Sequence, residues 1–433
     1  MQQTPRSILR FLRIAAAGVL FATVPVSLGA VSAARLPEDN SASSEYVALG
    51  DSYSSGEGLQ PSAATYISPS NNDGCHRSAT AYPVLVAASL NVNLGQFETF
   101  GSGGFVACSG ATSNDLLKGE DGEAPQLSAL SSETKWVTVT DGGDDLHFSN
   151  VLIACLDVRA SVRVGGATRS YTQSGIVRES KTCSDYLASA NSLFEAAQGA
   201  STEEAELEHV YEQIFVRAPN AELAVLNYPQ LFTQSPPEFC PVAEGASLSS
   251  VFKVRSAQLD IGYSKSQVLE FNRLESELNS AITNAVSDIS ALGHDIRLVD
   301  VNSLTKTSAI PCNVATNGQS DINTLRFSVG SSLTTLVENC HFDLADLLSL
   351  RSFVSCPSNE PVAFLQHTVA TETFHPKQVA HDTMARAVET LFGQVPTTQS
   401  KPIQRSFLSR HAAVAIRWKP YPRVTKVTLP RTT

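Results

Sequence analysis

Short apolar runs alternate with longer helical patterns along this chain, and that rhythm restricts the fold more than any other feature. Tyr46-Val-Ala-Leu49, Trp136-Val-Thr-Val-Thr140, Leu223-Ala-Val-Leu-Asn227 and Ile296-Arg-Leu-Val-Asp300 have the length and composition of buried strands. Helical patterns lie between them at 81–90, 183–197, 203–217 and 264–292. A last one, 377–392, spaces Val379, Met384, Val388 and Leu391 on one face. Strands separated by helices predict an α/β fold with a central parallel sheet covered on both faces. In such sheets, sites form at the carboxyl ends of the strands. The 433 residues would allow about three average domains, and one elaborated α/β domain also fits.

Charge and cysteine content bound the compartment and the partners. Hydrophobic residues make up 42% and charged residues 17%, enough apolar material for a core and too little charge for a disordered chain. The formal net charge of −11 is uneven: residues 35–400 hold 20 basic and 42 acidic groups. A body that acidic excludes nucleic-acid binding by charge. At the start, Arg6, Arg10 and Arg13 precede an apolar run from Ile14 to Leu28, with small residues around Ala33 and Ala34. That pattern predicts a signal peptide over 1–34 and a secreted, extracellular protein. The run of ~15 residues, broken by Pro25, is shorter than the roughly 20 of a spanning helix, and no other stretch reaches membrane length. Eight cysteines follow, Cys75, Cys108, Cys155, Cys183, Cys240, Cys312, Cys340 and Cys356. An even count in an exported chain predicts disulfides; eight cysteines allow about 105 connectivities, of which neighbour-to-neighbour pairing is the expectation here. No Cys-x-x-Cys pair supports zinc.

The organisation expected is a polar linker over 35–44, a main domain over 45–397 and a basic tail over 398–433. Within the domain, 303–366 is turn-rich, holds three cysteines and is expected to be a disulfide-bearing insertion, either walling a cleft or merely decorating the surface. The tail carries eight Lys/Arg and no acid, and reads as a disordered terminus or as a contact for an anionic envelope polymer.

The chemistry starts directly after the first strand, at Gly50-Asp51-Ser52-Tyr53-Ser54-Ser55-Gly56-Glu57-Gly58. A serine at the junction of a strand and a helix start points its hydroxyl into the crevice. Gly-Asp-Ser by itself is usually only a turn. A nucleophilic serine needs a base and a group that orients the base. Of the nine histidines, His375 has the best setting, between Phe374 and Pro376, ahead of the last helix and three residues after Glu372. An isolated histidine is more often structural, and His381 reads as a helix-packing residue. Ala107-Cys-Ser-Gly110-Ala-Thr112 is a small-residue turn whose N–H groups suit an oxyanion, and Gly142-Gly143-Asp144-Asp145 ends the second strand.

In this order the motifs resemble the SGNH (GDSL) hydrolases, specifically their secreted, disulfide-bearing actinobacterial lipase and esterase branch. The likeness covers most of 45–393. Gly50 to Gly58 is similar to the nucleophile block, Cys75-His-Arg-Ser78 with Ala81-Tyr-Pro83 to the branch's cysteine segment, Ala107 to Thr112 to the glycine block, and His375-Pro376 with His381 to the last block. The resemblance implies a three-layer α/β/α, flavodoxin-like fold and ester hydrolysis without metal or cofactor. It implies Ser52 as nucleophile, His375 as base, Glu372 where the family often has Asp, and oxyanion donors at Ser52 and Gly110. Some members of the branch orient the histidine with a main-chain carbonyl. One position departs: where the family has Gly-Gly-Asn-Asp, this chain has Asp144 in place of the donating Asn. An ionised carboxylate cannot donate. The loss of one donor costs roughly 2.7–4 kcal/mol. Asp144 is therefore expected either to stay protonated and donate, or to turn aside.

Three functions fit in different measure. A serine carboxylester hydrolase acting on a small-molecule, lipid or glycan ester leads. A weakly active or inactive binder of an acyl or acetylated glycan ligand is the alternative, because of Asp144. A metal-dependent phosphoesterase fits worst, since no carboxylate–histidine cluster has ligand spacing.

Overall fold

The computed structural model describes residues 44–394 except 60–65, 68–73, 100–102, 121, 165–166, 176–179, 198–199, 243–256, 306–308, 314, 325–340, 343–353 and 356–372. The expected signal peptide, most of the linker, the basic tail, Glu372 and most of the 303–366 segment, including Cys340 and Cys356, lie outside the described residues. The principal elements in chain order are β1 (Tyr46–Ala48), α1 (Ser52–Ser55), α2 (Tyr82–Ser89), α3 (Ser113–Lys118), β2 (Trp136–Val139), α4 (Phe148–Ala154), β3 (Asp157–Val164), β4 (Ala167–Gln173), α5 (Cys183–Leu193), α6 (Thr202–Arg217), β5 (Glu222–Leu226), β6 (Phe239–Pro241), β7 (Ala257–Ser264), α7 (Lys265–Ala291), β8 (Ile296–Val299) and α8 (Gln378–Leu391).

The four anticipated strands form one parallel sheet in the order β1-β2-β5-β8. Trp136 is in register with Tyr46 on one side and Glu222 on the other. Parallel neighbours require crossovers, which the intervening helices provide. Period-2 alternation then builds two cores. Val47, Leu49, Val137, Val139, Leu223 and Val225 pack with Leu207, Val210 and Ile214 of α6 and Phe271, Leu274 and Leu278 of α7. Tyr46, Ala48, Ala224, Leu226 and Val299 pack with Tyr82, Val84 and Val86 of α2 and Met384 and Val388 of α8. Each strand is thus apolar toward both sides, as the central strands of a covered parallel sheet must be. The result is the three-layer α/β/α fold.

Helix ends follow side-chain chemistry. Ser264 and Gln267 form a capping box that starts α7, and Thr112 with Asp115 does the same for α3. Lys377 is the N-cap position of α8 rather than its first turn, with no side-chain cap bond of its own.

A second sheet was not foreseen. Strands β3, β4, β6 and β7 form an antiparallel sheet in the order β4-β3-β7-β6. Its paired residues lie up to 105 apart, as Asp157 and Gly262 do, and Asp157-Val-Arg-Ala-Ser-Val-Arg-Val lacks a continuous apolar run, so local pattern does not reveal it. Disulfides join Cys75–Cys108, Cys155–Cys183 and Cys240–Cys312, and no cysteine is free among the described residues. Among these residues no helix is long and apolar enough to cross a membrane.

Candidate active site

The site lies at the carboxyl end of the sheet, where β1 turns into α1. Gly50 makes that turn with φ +122°, and a Cβ there would fall 2.4 Å from the Thr140 carbonyl oxygen. Only glycine fits. Gln126 locks the turn by bonding both Gly50 main-chain groups, at 2.8 and 3.0 Å. Asp51 then caps α1, accepting from the Tyr53 N–H at 2.9 Å and the Thr140 hydroxyl at 2.6 Å. Its other carboxylate oxygen accepts from the Tyr228 hydroxyl. Burial pushes the Asp51 carboxyl up, and its hydrogen bonds to Thr140, Tyr228 and the Tyr53 N–H pull the other way.

Ser52 follows, with its Oγ 2.8 Å from His375 Nε2 across 323 residues of chain. Nδ1 of the same ring lies 3.1 Å from the Thr373 carbonyl oxygen. A carbonyl only accepts, so Nδ1 carries the proton and Nε2 is free to accept the Ser52 hydroxyl proton. Among the described residues, the partner of Nδ1 is thus main chain.

The loop holding His375 is bound on several sides. The His375 carbonyl accepts from the Asn323 N–H at 2.8 Å, and the Phe374 N–H donates to the Asn323 carbonyl at 2.9 Å. The Asn323 side chain donates to the Gly58 carbonyl at 3.2 Å, tying this loop to the end of the nucleophile block. Phe374 has φ +64°, an uncommon conformation for a side chain of its size, and its carbonyl accepts from the Tyr53 hydroxyl at 3.0 Å. Local sequence signals none of these contacts. Gln126, Asn323, Thr373 and Tyr228 were missed because a main-chain carbonyl or a distant amide leaves no motif.

Ser52, Gly110, Asp144 and His375 line one cavity of about 480 Å³. Tyr53, Leu146, Phe148, Leu152, Ile153, Tyr228, Leu231, Leu278 and Phe374 give it a largely apolar wall. Asp144 is half-buried. Burial first, then the charges of Asp51, Asp145, Glu120 and Asp115, push its carboxyl well above the usual range. Behind the loop, Asp141 and Glu203 are fully buried, Asp141 also pushed well up and Glu203 pushed up to about 10 by burial and neighbouring carboxylates. Gly142 makes room for Glu203, since a Cβ would fall 2.5 Å from Glu203 Oε1.

His381 sits in α8, fully buried, with Nδ1 accepting from the Tyr82 N–H at 3.2 Å. Burial lowers its pKa to about 3, so it is a neutral packing residue. Among the described residues one set of acids has metal-ligand spacing, Glu204, Glu208 and Asp288 on α6 and α7; none of them lines the cavity.

Fold and site together define an α/β protein with a hydrogen-bonded serine–histidine pair at the edge of a parallel sheet. No family model matches the chain. It is 34% identical over 187 residues to Lipase 1 of Streptomyces coelicolor, covering 43% of this chain and 53% of that lipase. It is 33% identical over 221 residues to a lipase of Streptomyces rimosus, covering 51% and 65%. The chain therefore spans between half and two thirds of the length of these two relatives. Among solved structures, the extracellular lipase of Streptomyces rimosus aligns with TM-score 0.45 and 22% identity over 80% of this chain and 98% of that one. Phospholipase A1 of Streptomyces albidoflavus NA297 aligns with TM-score 0.46 and 22% identity over 81% and 99%. The chain is thus similar to Streptomyces lipases over part of their length.

Proposed function

We propose that this chain is an exported serine esterase that hydrolyses carboxylic esters through an acyl-enzyme on Ser52. The observation that carries the reading is the Ser52 Oγ to His375 Nε2 contact of 2.8 Å, with Nδ1 held by the Thr373 carbonyl. Ser52 Oγ attacks the acyl carbon while His375 Nε2 takes its proton. The tetrahedral intermediate collapses, and the alcohol leaves with that proton. Water then attacks the acyl-enzyme, again giving its proton to His375, and the acid departs as Ser52 is restored. The Ser52 and Gly110 N–H groups are the main-chain oxyanion donors, and Asp144, kept protonated, is the third. The Thr373 carbonyl takes the orienting role that Glu372 would otherwise have. No step calls for a metal or cofactor. The apolar cavity suits the acyl part of a small-molecule, lipid or glycan ester. The basic 398–433 tail is a candidate contact for an anionic envelope.

The test is hydrolysis of short and medium p-nitrophenyl esters from pH 4 to 9, beside Ser52→Ala. Turnover should fall roughly 10⁴-fold or more in the variant. Equal turnover in both proteins would sink the reading. Asp144 in place of the donating Asn also supports a binder with little turnover. A serine-reactive phosphonate separates the two, since it labels Ser52 only when His375 activates it.

A further inference from the structure

We propose that Tyr228 is a positioning residue, whose hydroxyl bridges the cap of the Ser52 helix to the Gly143 amide and so aims Asp144 at the oxyanion. This rests on the esterase reading above.

Tyr228 lies just past the carboxyl end of β5, and its hydroxyl faces two partners. It donates to Asp51, the residue that caps α1 immediately before Ser52. It accepts the Gly143 N–H at 3.0 Å. One oxygen therefore spans the nucleophile block and the loop after β2, two segments that reach the site independently. The bridge is itself anchored. Asn279 of α7 accepts from the Tyr228 N–H at 2.9 Å and donates to the Tyr228 carbonyl at 3.0 Å, fixing both main-chain groups. The ring leaves no slack either, since a Cβ on residue 143 would lie 3.0 Å from it.

The consequence falls on Asp144. With its N–H bound to Tyr228, Gly143 is fixed on the cavity wall that it, Tyr228, Ser52 and His375 share, and the next residue on that wall is Asp144. The hydroxyl is kept protonated by burial and by Asp51, so it remains a donor to that carboxyl across the working range. Without it, the Gly143 N–H and the second Asp51 oxygen both lose a buried partner, and the two blocks lose their common reference. A displacement of about 1 Å at a reacting centre can cost on the order of 10²-fold in rate.

The test is a double-mutant cycle on the purified full chain with p-nitrophenyl butyrate near pH 6, using Tyr228→Phe, Asp144→Ala and the pair, with thermal midpoints alongside. Tyr228→Phe should lower kcat by about 10- to 100-fold and leave KM within about twofold. In the Asp144→Ala background the same change should cost no more than about threefold, because its target is already gone. A wild-type kcat, a loss confined to KM, or an undiminished loss in that background would overturn the assignment. If Tyr228→Phe does not fold, Asn279→Ala replaces it in the cycle, with the same kcat-selective pattern expected and an unchanged kcat overturning it. Ser52→Ala separates the two levels of inference. Turnover retained there removes the esterase reading itself; turnover lost there with Tyr228→Phe at wild-type rate removes only the role of Tyr228.

Discussion

At the scale of one side chain, the proposed esterase turns on Asp144. Its carboxyl is raised by burial and by the negative charges of Asp51, Asp145, Glu120 and Asp115, so the protonated form, the only one that donates, persists above the usual carboxylate range. On the esterase reading, activity should then decline as pH rises through that raised value. Asp144→Asn donates at every pH, so its alkaline limb should disappear and its rate above that raised value should exceed wild type by up to about 10²-fold. A pH–rate profile of both proteins checks this, and a broad alkaline plateau in wild type would exclude the protonated donor. Glu372→Gln, by contrast, should keep kcat within about tenfold of wild type, because the Thr373 carbonyl already holds Nδ1. A loss near that of Ser52→Ala would return the orienting role to Glu372.

Between elements, the His375 loop is held in place by a segment outside the cavity. Residues 320–323 run beside the His375 loop, with Ile322 bridged to Pro376 and Asn323 bonded to both Phe374 and His375. Lys377 Nζ, at the cap of α8, donates to the Gly318 and Ser320 carbonyls. Upstream, the Cys240–Cys312 disulfide pins this run to β6, closing 72 residues of chain. A loop of that length should stabilise the fold by about 4 kcal/mol in the chain-entropy account. Replacing both cysteines by alanine is expected to lower the unfolding free energy by roughly 2–5 kcal/mol and to reduce kcat as the His375 loop loses its support. Denaturant melts and steady-state kinetics on the double variant test it; unchanged kcat would mean that the 317–323 run stays docked without the bond.

Over the whole molecule, two buried groups set opposing limits on stability. The His381 pKa is lowered to about 3, so its contribution is present above the unfolded value near 6.5 and is lost as pH falls toward 3. The Glu203 pKa is raised to about 10, so its contribution is present below the unfolded value near 4.5 and is lost as pH rises toward 10. Maximal stability should therefore fall near pH 5–6. Glu203→Gln keeps the uncharged shape and should flatten the alkaline side, adding several kcal/mol at pH 8 while changing little at pH 5. Thermal midpoints across pH would show it, and parallel profiles would refute it.

What the sequence by itself determined is the set of features written in neighbouring residues. The four apolar runs returned as the four parallel strands, because covered strands are apolar on both faces and that pattern is local. The helices returned within a residue or two of their expected ends where Ser201, Ser264 and Lys377 hold the N-cap positions. The Ser52 block, with a glycine that only the turn at residue 50 explains, was legible for the same reason. Only the tertiary structure decided the rest. The antiparallel sheet pairs Asp157 with Gly262, His375 Nδ1 meets the Thr373 main-chain carbonyl, and the Tyr228 bridge spans 177 residues to Asp51. Backbone carbonyls are identical at every residue, and a hydrogen bond across such separations leaves no periodic or spacing trace. Such contacts come into being only when folding brings distant segments together.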